Sequence, residues 1–176
     1  MRSVLALTAI LTTFATHGQT PKQFGQHESK DDNEPFAIGE FGGAINWNIN
    51  GLSLSGGPSL AIEFTPIKDR LEVEFGATRS YSRGASELSV DLLFKKPYTI
   101  SKTLEFMAGI GPEFTSIRSN GRAATEWGGE FALDFMYWPF KTRKFGFYIE
   151  PAYDYSFGAE NEQSIGFSGG LLVGMK

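Results

Sequence analysis

Carboxylate side chains recur on the polar faces of several predicted strands, and paired carboxylates can act as general acid and general base. Glu72 with Glu74 forms one such pair, and Glu130 with Asp134 forms another. Two carboxylates that flank a bond are the arrangement used in glycoside hydrolysis. Alternation along a β-strand, however, places residues i and i+2 on one face in any case. We therefore expect strand geometry to explain these pairs, and we predict no catalytic residue.

The sequence lacks the other residues that common enzyme and metal sites need. It has no cysteine, and its only histidines are His17 and His27. It contains no P-loop, HExxH motif, nucleophile elbow or dinucleotide fingerprint. His27 with Glu28, Asp31 and Asp32 could hold a metal ion, but a polar segment of this kind does not preorganise ligands. We predict no metal site and no cofactor.

The composition favours β-structure. The 176 residues include 21 Gly beside 16 Phe, 6 Tyr and 3 Trp. Glycine weakens helices, and aromatic residues favour strands. The net charge of −4 argues against a nucleic-acid-binding protein, which normally carries a basic surface. These values predict a single all-β domain that binds no nucleic acid.

The first residues have the pattern of an export signal. Arg2 supplies a positive charge, and the uncharged run at 3–15 is mostly apolar. That run is too short to span a bilayer as a helix. We therefore predict a signal peptide at 1–18 and an exported protein. Cleavage after Ala15 and a buried N-terminal element are the alternatives.

A flexible polar leader is predicted at 19–35, and the apolar residues that follow have the period of two that is typical of half-buried strands. We interpret 36–176 as eight such strands. The first strand is irregular, because the apolar residues Ile38 and Phe41 are three positions apart and would point to opposite faces of a regular strand. A β-bulge at 42–43 would reconcile them.

The connections predict how the strands are ordered. Three strands end at Pro66, Pro97 and Pro139, and each proline is followed by a basic turn. Three similar hairpins in series predict an up-and-down antiparallel meander. An even number of strands can close into a barrel, in which the glycine pairs at 42–43 and 169–170 would meet at the seam. The other connections are predicted at 48–57, 82–86, 116–124 and 158–163.

The charged residues indicate which face of the sheet is inside. Lysine and arginine lie mainly in turns and at strand ends, whereas the polar faces of the strands are acidic, small or glycine. A sheet that faces water usually mixes lysine with these residues. We therefore predict a narrow acidic lumen and an apolar outer face. The predicted lumen cluster is Glu63, Glu72, Glu74, Asp91, Glu105, Glu130, Asp134, Glu150 and Asp154. Aromatic residues predicted at the membrane interfaces are Trp47, Tyr81, Phe94, Tyr137, Trp138, Phe145 and Tyr155.

In its strand number, its short proline-side turns and its signal peptide, the chain resembles the small outer-membrane β-barrel proteins of Gram-negative bacteria, the OmpA-barrel/OmpX-like class. The resemblance covers 36–176 and implies a monomeric, transmembrane, eight-stranded antiparallel barrel in the cell outer membrane. It also implies contact with outer-membrane lipid and lipopolysaccharide, and with the insertion machinery. The family usually ends in an aromatic residue, whereas this chain ends Gly174-Met175-Lys176.

The resemblance also bears on activity. Resemblance to the outer-membrane barrel enzymes would imply a histidine inside the barrel as base or orienting group. Both histidines of this chain precede the first predicted strand. We therefore expect a non-enzymatic protein with a structural or surface-interaction role.

The sequence is compatible with three alternatives for the interior of the predicted barrel. Arg70, Lys95 and Arg79 could reach in and form a salt-bridged plug, the interior could be hydrated and pass small cations, or some acids could be protonated. We favour the plug, because an eight-stranded barrel is barely wider than its side chains. The alternative functions are a narrow cation-conducting pore and a secreted, soluble, lipocalin-like barrel that binds an apolar ligand. The soluble barrel requires inward-facing Phe64, Phe75, Phe106 and Phe131.

Overall fold

The computed structural model describes residues 35–119, 121–158 and 161–175. The predicted signal peptide and all of the predicted leader except Pro35 lie outside these residues. No helix among them is long and apolar enough to cross a membrane. The eight strands are β1 (Ala37–Asn48), β2 (Ser53–Ile67), β3 (Leu71–Ser82), β4 (Ala85–Thr99), β5 (Leu104–Ser119), β6 (Arg122–Tyr137), β7 (Phe145–Ser156) and β8 (Gln163–Met175).

The strands form one closed barrel in chain order. Each strand pairs antiparallel with the next, and β8 pairs antiparallel with β1. At this seam Gly42 lies opposite Gly170 and Gly43 lies opposite Gly169. The predicted eight-stranded meander, its closure and the meeting of the glycine pairs are confirmed.

The barrel has two ends, which we name from their turns. The proline end carries the turns at 68–70, 100–103 and 138–144, and the mouth end carries those at 49–52 and 83–84 and the connections that follow β5 and β7. Three of the predicted mouth-end connections, 48–57, 82–86 and 116–124, were too long, because the strands extend beyond the alternating apolar residues. Gly84 and Gly121 have φ of 76° and 75°, and this left-handed conformation lets the chain reverse within two residues.

The predicted bulge in β1 is wrong. β1 keeps a continuous register with both β2 and β8. The parity conflict disappears because Ile38 is buried inside the barrel, while Phe41 is exposed on the outer face. A register irregularity occurs instead between Phe64 and Ile67, where β2 pairs with β3 beside Pro66.

The outer face of the barrel is apolar. Phe64, Phe75 and Phe131 are exposed there. Phe106 lies on the same face, because its ring contacts the rings of Tyr98 and Phe135, with centroids 5.9 and 5.0 Å away. The orientation that the soluble alternative requires is therefore contradicted. Of the aromatics predicted at the membrane interfaces, five are exposed: Trp47, Tyr81, Phe94, Tyr137 and Phe145.

The proline end of the lumen is filled by an apolar plug. Its residues approach the interior from the ends of β1, β5, β6, β7 and β8 that lie at the proline end. Trp138 belongs to it and is 1% exposed, so its predicted place at a membrane interface is wrong. Its indole N–H donates to Glu105 Oε2 at 3.1 Å, which satisfies the ring nitrogen inside the barrel. The plug residues are Ile38, Met107, Met136, Trp138, Tyr148 and Leu172.

The seam predicts a position-specific effect of adding one methyl group. A Cβ at Gly42 would collide with the carbonyl oxygen of Gly169, whereas a Cβ at Gly43 would meet only Gly57 O at 3.5 Å. Gly42→Ala should therefore destabilise the barrel by about 1–3 kcal/mol, the usual effect of overpacking. Gly43→Ala should have little effect. Urea unfolding of both variants in detergent tests this, and equal midpoints would contradict it.

Candidate functional site

A buried lysine lies at the centre of the lumen. Lys95 on β4 is 1% exposed. Its ammonium Nζ donates to Glu74 Oε2 and to Glu150 Oε2, both at 2.5 Å, and to Asp134 Oδ2 at 3.3 Å. These partners come from β3, β7 and β6. One side chain therefore connects four strands across the interior.

The strand register explains how Lys95 reaches these partners. Lys95 lies between Glu72 on β3 and Gly109 on β5 and points inward with them. A Cβ at Gly109 would come within 2.5 Å of Lys95 Cγ. The absence of a side chain at Gly109 therefore leaves the space through which the lysine crosses the lumen.

Four carboxylates form a compact group beside this lysine, which we call the interior carboxylate cluster: Glu40, Glu63, Glu74 and Asp134. Each residue offers one oxygen, and these four atoms all lie within 4.8 Å of one another. All four residues are buried. Three of their oxygens, Glu40 Oε1, Glu63 Oε2 and Asp134 Oδ1, are buried without a hydrogen-bond partner.

The lumen also contains water-sized space towards the mouth end. A cavity of about 50 Å³ is lined by Asp91, Glu130 and Glu150, among others. A second cavity, of about 120 Å³, is lined by Glu87, Glu126 and Glu162 at the mouth. Both cavities share the lining residues Asn46, Glu113 and Asp154.

Several of the acidic groups outside the cluster have polar partners. Ser164 Oγ donates to Asp154 Oδ2 at 2.8 Å. At the proline end, Arg143 Nη1 lies 2.6 Å from Glu105 Oε1. These carboxylates are thus held by local hydrogen bonds and an ion pair.

The structure places all nine predicted cluster residues on the inner face. Glu63, Glu72, Glu74, Asp134 and Glu150 are buried. The half-buried members are Asp91, Glu105, Glu130 and Asp154. They are spread along the lumen, and only three of the nine belong to the interior carboxylate cluster.

Sequence reasoning missed one member of that cluster and misplaced two cations. Glu40 was left out because the predicted bulge obscured the parity of β1, although Phe41 and Ile45 on the outer face already place Glu40 inward. Of the three basic residues predicted to reach into the lumen, only Lys95 does so. Arg70 is exposed in a turn. Arg79 is exposed with its guanidinium 5.6 Å from the centre of the Tyr81 ring.

The chemistry open to this site follows from its side chains. The described part of the chain contains no histidine and no cysteine. Carboxylates and one ammonium can hold cations and form charge-assisted hydrogen bonds. The arrangement is therefore suited to holding strands together and to binding positive charge.

Comparison with known proteins identifies the fold. No family model matches the chain, and no curated protein sequence matches it. Solved structures do match. Neisserial surface protein A is 14% identical, with a TM-score of 0.60 over 79% of this chain and 96% of that one. Ail, the attachment invasion locus protein of Yersinia pestis, is 14% identical, with a TM-score of 0.55 over 80% of this chain and 98% of that one.

The N-terminal β-barrel domain of Pseudomonas aeruginosa OprF is 11% identical, with a TM-score of 0.53 over 79% of this chain and 97% of that one. This chain has the fold of the small outer-membrane β-barrels. The resemblance inferred from the strand pattern is confirmed at the level of the fold. Within this outer-membrane barrel fold, the candidate site occupies the lumen.

Proposed function

We propose that this chain is an outer-membrane β-barrel protein that has no enzyme activity and serves a structural or surface-interaction role. The observation that carries the proposal is the inverted distribution of polarity. Phe41, Ile110 and Ile149 are exposed on the outer face, while Lys95 and its carboxylates are buried inside. A continuous apolar belt promotes association in water, whereas lipid solvates it.

The dimensions of the strands support a membrane location. Each strand contains 12 to 16 residues. A tilted transmembrane strand needs about 9–11 residues. The strands are therefore long enough to cross the outer membrane and to extend slightly beyond it. We propose outer-membrane lipid and lipopolysaccharide as the surroundings of the belt, the insertion machinery as a transient partner, and a monomeric state.

The contents of the lumen support a closed interior. The apolar plug fills the proline end, and the Lys95 network crosses the barrel above it. This arrangement favours the structural role over the cation-conducting pore. The lack of histidine in the described residues supports the absence of acyl-transfer or hydrolytic activity of the histidine-activated kind.

Cell fractionation tests the location directly. We expect the protein in the outer-membrane fraction, and we expect unboiled and boiled samples to differ in gel mobility, because a closed barrel resists detergent until it is heated. A soluble periplasmic maltose-binding protein in the same cells serves as the fractionation control. Recovery in the soluble fraction, with a mobility that boiling does not change, would defeat the proposal.

A further inference from the structure

We propose that the interior carboxylate cluster binds one divalent cation of the size of Ca²⁺. The ligands are Glu40, Glu63, Glu74 and Asp134. The proposed function does not require a bound cation, so cation binding and the proposed function can be tested separately.

The spacing of the oxygens fits this ion. Calcium takes oxygen ligands at about 2.3–2.6 Å, so two ligands on opposite sides of it are about 4.6–5.2 Å apart. Magnesium, at about 2.0–2.1 Å, allows only about 4.0–4.2 Å. The four carboxylate atoms of the cluster lie within 4.8 Å of one another. An ion of calcium size therefore reaches all four with little movement.

The oxygens without hydrogen bonds are a separate observation that points to a missing ligand. Buried polar groups in folded proteins are almost always hydrogen-bonded. Glu40 and Glu63 are 1% and 2% exposed, and each has a buried oxygen without a partner. Asp134 Oδ1 is likewise buried without a hydrogen-bond partner. A cation among these oxygens supplies the partner that they lack.

Lys95 donates hydrogen bonds to two of the four proposed ligands. Its ammonium is bonded to Glu74 Oε2 and Asp134 Oδ2, whereas Asp134 Oδ1 is unpartnered. Asp134 can therefore contact the lysine with one oxygen and the cation with the other. One ammonium also cannot balance the charge of the four cluster carboxylates together with Glu150.

The acidic residues of the lumen provide an electrostatic approach from the mouth. Glu150 bonds to Lys95 and also lines the 50 Å³ cavity. That cavity shares Glu113 and Asp154 with the cavity at the mouth. These carboxylates attract cations into the lumen as far as Glu150, which bonds to the same lysine as Glu74 and Asp134.

The test is calcium binding by the full chain, refolded into detergent without lipopolysaccharide and stripped with EDTA. We expect saturable binding of one Ca²⁺ per folded barrel in isothermal titration calorimetry, with weaker binding of Mg²⁺. Glu40→Gln and Glu63→Gln should each weaken the affinity at least tenfold. Glu126→Gln is the matched control, because Glu126 is a mouth carboxylate that accepts a bond from Ser156. Its affinity should fall much less than that of the two cluster variants, because Glu126 contributes only to the electrostatic approach at the mouth.

A second measurement follows the unfolding midpoint of the barrel. A ligand that binds only the folded state raises the unfolding midpoint. The midpoint should therefore be higher in Ca²⁺ than in EDTA, and the shift should disappear in Glu63→Gln that shows the folded gel mobility. Absence of both binding and a midpoint shift in the unmodified chain would overturn the proposal. Loss of binding in Glu126→Gln but not in Glu63→Gln would also overturn the proposal, because the cation would then lie at the mouth and not in the cluster.

Discussion

Lys95→Met is expected to lower the free energy of unfolding by about 3–5 kcal/mol, which is the usual effect of removing one partner from a buried ion pair. The substitution keeps a long side chain in the lumen but removes the ammonium that Glu74, Glu150 and Asp134 accept from. Three buried carboxylates would then lose their common positive partner. Urea unfolding in lipid vesicles, followed by tryptophan fluorescence, measures the change.

The adjacent lysine provides the matched control. Lys96 is exposed, and its ammonium donates to the carbonyl oxygen of Asp69 at 2.7 Å and lies 5.8 Å from the centre of the Tyr98 ring. Lys96→Met should change stability by less than about 1 kcal/mol. Similar losses in Lys95→Met and Lys96→Met would contradict a central role for the buried lysine. Adding Glu74→Gln to Lys95→Met should restore part of the loss, because it removes one uncompensated charge.

Ile149→Arg is expected to cost about 2–4 kcal/mol in a bilayer, the range found for arginine near the midplane of a membrane barrel. Ile149 is 61% exposed and lies near the middle of β7, opposite Phe135 and Gly169. If water surrounded this face, an arginine would be close to neutral, since exposed surface substitutions rarely exceed about 0.5 kcal/mol. Reversible unfolding in vesicles therefore reports which solvent the outer face contacts.

Leu54→Arg controls for the chemistry of the substitution. Leu54 is 67% exposed and is the second residue of β2, at the mouth end. The cost of arginine falls to about 0–1 kcal/mol near the membrane interface. A large loss at Ile149 and a small loss at Leu54 is the result expected of a membrane-spanning belt. Equal losses at both positions would contradict the depth dependence on which the membrane location depends.

Much of this architecture could be predicted from residue alternation. Strand number, closure and the inward placement of the acids follow from the period of two, because one face of each strand is apolar and the other is not. The glycine pairs at 42–43 and 169–170 predicted the seam, and at Gly42 and Gly170 the backbone of the paired strand leaves no space for a side chain. These features depend on local pattern and on the need to pair both edges.

The packing of side chains inside the lumen could not be predicted from residue alternation alone. The sequence did not indicate that Glu40 points inward, because the apolar side chain of Ile38 also lies on the inner face and made the alternation of β1 unclear. Trp138 has the residue type of a membrane-interface aromatic, yet its indole bonds to Glu105 inside the barrel. Buried side chains from all eight strands meet in this space, so its packing is set by the three-dimensional register and not by neighbours in the sequence.

The seam between β1 and β8 has a consequence for folding kinetics. Every other pairing in the barrel joins strands that are neighbours in the chain, whereas this one joins the first strand to the last. Closing so long a loop carries the largest entropic cost, and folding slows as contacts span more of the sequence. Until it closes, both strands present unpaired edges to other chains. The glycines at the seam therefore affect how long the chain exists as an open sheet, as well as how stable the finished barrel is.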